Sequence, residues 1–227
     1  MPFWSYILTA LAAYLLGSIP TGFLVAKAKG VDIRAVGSGN IGATNAMRAL
    51  GKPAGIFVLM MDAFKGYAAC QFIPAPIFNW LVPHFSGFFR YFQDTPIEFQ
   101  TRFYLVAGIF VVLGHNYPCW LKFKGGKGVA TTAGVYLALA PWALLAALAV
   151  FILAALVTRY VSVASIAAAI ALPTTVWIMS PDNLFLCIVT TALGALAIYK
   201  HKSNIQRLMA GTENRLGRKT QPPEERK

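Results

Sequence analysis

Along the chain, long apolar runs alternate with short segments rich in glycine, asparagine and basic side chains. The runs cover residues 3–26, 53–73, 102–120, 129–158, 161–179 and 183–199. Most approach the roughly 20 residues that a helix needs to cross a hydrocarbon core about 30 Å thick. The run 129–158 is too long, because one straight helix there would reach about 45 Å at 1.5 Å per residue. Pro141 stands near its middle, where the missing N–H and the ring interrupt a helix. Two short helices broken near Pro141 bring the count to about seven transmembrane helices, so the pattern predicts an all-α, polytopic integral membrane protein.

Composition agrees: mean hydropathy is +0.60, and charged residues make up only 12% of the chain. A net charge of +12 would suit a nucleic-acid binder, but apolar stretches of spanning length separate the basic residues, so no nucleic-acid partner is expected. The charges instead report topology. Lys27, Lys29, Arg34, Arg48 and Lys52 form one cluster, Lys122, Lys124 and Lys127 a second, and residues 200–227 a third. The positive-inside rule puts all three on the cytoplasmic side, with the N-terminus outside and the C-terminus cytoplasmic. A single crossing at 129–158 would leave the basic tail outside, which is why the break at Pro141 matters. The first run lacks a basic n-region and a cleavage site, so it reads as a span and not as a removable signal. Residues 1–216 form one transmembrane domain, and 217–227, basic and without apolar period, read as a disordered cytoplasmic tail. The loop 74–101 carries Arg90, Asp94 and Glu98 and receives no role. Cys70, Cys119 and Cys187 sit singly in apolar runs, so neither a disulfide framework nor a metal site is expected.

The polar segments hold the candidate chemistry. Gly37-x-Gly39-x-x-Gly42, with Asp62 about twenty residues on, has the letters of a dinucleotide fingerprint without its context. That motif needs a buried strand before the first glycine, and here Asp62 lies within an apolar span. Ser38, Asn40, Thr44 and Asn45 packed among glycines and closed by Arg48 instead supply N–H groups, hydroxyls and a guanidinium suited to phosphate or carboxylate oxygens. A helix over 43–50 would add the positive end of its dipole. The segment Lys124-Gly125-Gly126-Lys127-Gly128 has the same character, but Gly128 stands where a P-loop needs Ser or Thr. In the third cluster, His201, Asn204 and Leu208 share one face of an inward continuation of the last helix, which Gly211 would stop. Asp62 and Lys65, at i and i+3 in the second span, read as a structural ion pair, since an isolated charge there costs about 3 kcal/mol. On these residues alone a linker, a loop facing lipid headgroups, a transporter of an organic phosphate and an enzyme all stay open.

Taken together and in this order, GSGNIGATNAMR, DAFKG, GHNYPCWLKFKGGKGVAT and HKSNIQRLMAGTEN resemble the bacterial acyl-phosphate:glycerol-3-phosphate acyltransferase (PlsY) family over nearly the whole chain. The resemblance implies a cytoplasmic-membrane enzyme, active on its cytoplasmic face, that moves a fatty acyl group from acyl phosphate to the sn-1 hydroxyl of glycerol 3-phosphate. The products would be lysophosphatidic acid and phosphate, the first step of phospholipid synthesis, with acyl phosphate supplied by a peripheral phosphate acyltransferase. It assigns functional roles to Ser38 and Arg48, a glycerol-phosphate site to Lys124 through Gly128, and important roles to His201 and Asn204. Glu213 matches a structural glutamate. No cofactor is expected, and membrane lipid is the surrounding partner. No Ser/His/Asp set is present among the motifs, and none of His84, His115 and His201 is followed five positions later by Asp. The proton of the attacking hydroxyl therefore passes either to His201 or to the donor's own phosphate, the second being favoured.

Overall fold

A computed structural model describes residues 2–74 and 96–217. The expectations for the centre of the loop 74–101 and for the basic tail fall outside these residues. Among the described residues the fold is all helical: α1 (Pro2–Gly17), α2 (Thr21–Ala28), α3 (Ala43–Leu50), α4 (Lys52–Phe72), α5 (Pro96–Asn116), α6 (Val129–Leu139), α7 (Pro141–Thr158), α8 (Val161–Met179), α9 (Leu184–Lys200) and α10 (Lys202–Met209).

Among the described residues, four stretches are long and apolar enough to cross a membrane: Trp4–Ala28, Thr101–Leu121, Pro141–Thr158 and Val161–Met179. A fifth is formed if α9 and α10 count as one span bent by 51°. The outward surface fits lipid: Leu156, Val157 and Ile178 are 73%, 75% and 74% exposed, as expected when the solvent is hydrocarbon.

Two breaks differ from simple spans. The first run divides at Pro20, which follows Ser18 and Ile19 and opens α2. The long run divides at Ala140 (φ −151°), and Pro141 takes the first position of α7, where its missing N–H costs nothing. The first half, α6, has only 11 residues, about 16 Å or half the thickness of a hydrocarbon core. It packs against α4 and α5 instead of standing alone in lipid.

Small residues set the helix spacing. Gly66 and Gly134 lie where α4 and α6 cross, each so near the other helix's backbone that a Cβ would overlap it. Gly114 meets the α1 backbone at Tyr14 in the same way. One apolar core, including Val111, Val135, Tyr136, Val176 and Cys187, runs through this bundle. A second, smaller one, with Ile33, Ile41, Ala46 and Val58, anchors α2, α3 and the loop between them on α4. That second core is what carries the polar first motif toward the bundle.

Candidate functional site

A cavity of about 470 Å³ gathers residues from all three basic clusters. Its polar wall includes Ser38, Arg48, Lys127, His201, Asn204 and Glu213, and its apolar wall Leu59, Ala133, Leu148, Phe151 and Ala155.

The first motif is shaped by its own asparagines. Asn45, 2% exposed, accepts from the Ser38 N–H (2.9 Å) and donates to the carbonyls of Ile33 and Val36 (3.0 Å each). Asn40 accepts from the Gly42 N–H (2.8 Å) just before α3 begins. Both line the cavity, yet their side chains fold the loop so that Ser38 and Thr44 border the space. Gly37 and Gly39, both at positive φ (62° and 69°), turn the chain and do not line it.

Arg48 comes from the last turn of α3, half-buried, and makes no ion pair among the described residues. Burial is the largest influence on its guanidinium and lowers its pKa; Glu213 opposes the shift and Arg207 adds to it. Lys127 stands just before the helical start of α6, and burial, then Arg207, push its pKa down to about 8 against the pull of Glu213. Its Nζ donates to Asn204 Oδ1. The Asn204 amide is fixed from the other side, because its Nδ2 donates to Glu213 Oε1 (2.8 Å). Glu213 also accepts from Ser162 (3.2 Å) and from Arg207 Nε (2.7 Å), so it joins α8, α10 and the segment after it.

His201 sits where α9 gives way to α10, so the final helix bends there instead of continuing straight. Its Nδ1 lies 2.7 Å from the Ala197 carbonyl, which can only accept. Nδ1 must therefore carry the hydrogen, and in the neutral ring Nε2 is left as an acceptor. Burial, reinforced by the Lys127 charge, lowers its pKa to about 4. The ring is thus neutral at ordinary pH and presents an acceptor at Nε2.

Of the segment Lys124 to Gly128 only Lys127 and Gly128 line the cavity; Lys124 is exposed, and Gly125 and Gly126 lie against the end of α5. Asp62 and Lys65 pair at 2.8 Å, with Lys65 also donating to the Ile19 carbonyl (3.1 Å) at the break between α1 and α2. His115 joins them, its Nδ1 3.6 Å from the same Asp62 oxygen, and both Asp62 and His115 border the cavity. Sequence reasoning missed His115 and Ser162. The GHNYP stretch at the end of a span was a usable signal for the first, whereas a serine inside an apolar helix gave none for the second.

The lining combines two cations that make no salt bridge among the described residues, amide and hydroxyl groups, and apolar side chains of α6 and α7. It suits a phosphorylated ligand carrying a hydrocarbon chain. Residues 7–211 match the family model for glycerol-3-phosphate acyltransferase. A glycerol-3-phosphate acyltransferase of Geotalea daltonii is 45% identical over 92% of this chain and 97% of its own length. One from Agrobacterium fabrum is 40% identical over 93% of this chain and 92% of its own. The crystal structure of PlsY, an integral membrane glycerol 3-phosphate acyltransferase, in its glycerol 3-phosphate form superposes with a TM-score of 0.79 at 39% identity, covering 94% of this chain and 96% of that one. The lysophosphatidic acid form of PlsY gives 0.77 at 38% identity over the same shares. The chain belongs to the glycerol-3-phosphate acyltransferase family, and it is an integral membrane acyltransferase.

Proposed function

We propose that this enzyme takes its acyl group from acyl phosphate and delivers it to the sn-1 hydroxyl of glycerol 3-phosphate, in a cavity opening on the cytoplasmic face. The observation that carries this reading is the meeting of Ser38, Arg48, Lys127, His201 and Asn204 in one cavity that also has an apolar wall. Both substrates bring a phosphate, and only the donor brings a long chain.

The reaction balances within the cavity. The glycerol oxygen forms a bond to the acyl carbon, the bond from that carbon to the phosphate oxygen breaks, and phosphate departs with its electron pair. The leaving group is already a stable anion, so a strong general acid is unnecessary. Arg48 and Lys127 neutralise the two phosphates, while Ser38, Thr44 and Asn204 orient them. The hydroxyl proton goes to an oxygen of the donor phosphate. His201 is a poor alternative base, since a ring with a pKa near 4 has little affinity for that proton. Its Nε2 instead accepts the hydroxyl hydrogen bond and aims the oxygen.

The same reading gives seven membrane helices, with α1 and α2 as the first and α4 to α9 as the others, the N-terminus outside and the C-terminus cytoplasmic. Its support is that all three basic clusters contribute to one cavity, as they must if they share a face. A peripheral phosphate acyltransferase is the expected source of the unstable donor. Purified protein in detergent, given palmitoyl phosphate and labelled glycerol 3-phosphate, makes labelled lysophosphatidic acid if the reading holds. A protein that binds glycerol 3-phosphate without acylating it would instead fit transport of an organic phosphate.

A further inference from the structure

The buried charges of α4 need an account, because the acyl transfer does not use them. Asp62, Lys65 and His115 are 3%, 5% and 7% exposed, and Asp62 and His115 stand at the edge of the reaction cavity. They form a chain of contacts from the α1–α2 break to the glycine loop. Ile19 accepts from Lys65, Lys65 meets Asp62, and Asp62 faces His115 Nδ1. Beyond the imidazole comes Gly126, so close that a Cβ there would overlap the Nε2 end of the ring, with that nitrogen its nearest atom. The backbone holds the same contact: the Gly126 N–H donates to the His115 carbonyl (3.1 Å) and the Gly125 N–H to the Asn116 carbonyl (3.2 Å). Lys127 follows directly.

We infer that His115 is a positioning residue, a buried imidazole plate, oriented by Asp62, on which the glycine loop rests and which thereby sets Lys127 in the cavity. A glycine is required at 126 because the plate occupies the space of a side chain, not because the loop needs unusual dihedrals; φ at Gly126 is not positive. The inference rests on the reading that Lys127 holds the phosphate of glycerol 3-phosphate.

The test uses the full-length enzyme in detergent, with KM and kcat measured for each substrate and thermal unfolding measured alongside. His115→Ala removes the plate and raises KM for glycerol 3-phosphate about tenfold or more, with kcat within about threefold and KM for palmitoyl phosphate unchanged. His115→Gln, which keeps bulk and a polar group, falls between this variant and wild type, and it serves where alanine fails to fold. Gly126→Ala also raises KM for glycerol 3-phosphate. The double variant His115→Ala with Gly126→Ala is closer to wild type than Gly126→Ala alone, because the methyl enters the vacated space; two independent effects would multiply. An unchanged KM in a folded His115 variant, a rise confined to palmitoyl phosphate, or multiplying effects in the double variant overturns the inference. Wild-type protein that makes no lysophosphatidic acid would sink the functional reading itself, a different result from active wild type with indifferent His115 variants.

Discussion

If Lys127 neutralises a substrate phosphate, activity must fall as its ammonium loses a proton, and the structure sets where. Its pKa near 8 is below the ordinary lysine value because burial and neighbouring Arg207 disfavour the charge. The cation is therefore present below about pH 8 and lost above it. Nothing else assigned to the reaction titrates close by: His201 lies near 4, and a phosphate monoester is already dianionic above its second pKa of about 6. The expected profile of kcat/KM for glycerol 3-phosphate is flat near pH 7 and declines through about 8. It then levels off where Arg48 acts alone, because a guanidinium stays charged. One charge-assisted hydrogen bond contributes about 1.5–3 kcal/mol, so the high-pH plateau sits roughly ten- to a hundredfold below the maximum. In kcat the limb moves to higher pH, because bound phosphate favours the protonated amine. Lys127→Arg abolishes the limb up to pH 10, and Lys127→Met lies on the low plateau throughout. Stability runs the other way. The unfolded chain binds this proton more tightly, so the penalty for the charged, buried amine is full below about pH 8 and relieved as pH rises toward the ordinary lysine value. Initial rates from pH 6 to 10 with saturating palmitoyl phosphate decide the matter: a flat wild-type profile, or the same limb in Lys127→Arg, refutes the assignment.

Further outcomes follow from other contacts. His201→Gln keeps a hydrogen-bonding group but no base; near-normal turnover excludes the histidine as base, while disappearance of an acid-side inflection with loss of turnover would restore it. Asp62→Asn leaves Lys65 buried without a counter-charge, which costs about 3–5 kcal/mol and lowers the melting temperature in detergent, and Lys65→Met added to it recovers part of the loss. Glu213→Gln removes the charge that anchors Arg207 and Asn204, destabilises by about 1–3 kcal/mol, and lowers activity through Lys127, measured as kcat/KM beside unfolding. Single cysteines replacing the exposed Lys29, Lys122 and Lys202 react with an impermeant maleimide from one side of inverted vesicles; labelling of any one from the opposite side breaks the seven-helix topology.

How much of this was legible beforehand depends on the range of the interaction. Helix positions follow from local hydropathy, and Pro141 marked the division between α6 and α7 because its effect acts within one turn. The ion pair of Asp62 with Lys65 was readable from i, i+3 spacing. By contrast, nothing local tells Asn45, spent on the carbonyls of Ile33 and Val36, from Ser38, which borders the cavity; the letters suit anion binding equally. The glycines of the second motif mislead in the same way. Gly125 and Gly126 look like an anion cradle, yet they are small because α5 lies against them. His115 shows the limit most plainly, since its two ring nitrogens approach Asp62 of α4 and the loop beside Lys127, partners that only the packed helices bring together. A phosphate site in a membrane must be built from charges that cannot be left alone in hydrocarbon, so the residues that hold the cations in place have to be buried and polar too. Such residues carry the same chemical signature as ligand-binding ones, and they separate from them only when the coordinates show which way each side chain is already committed.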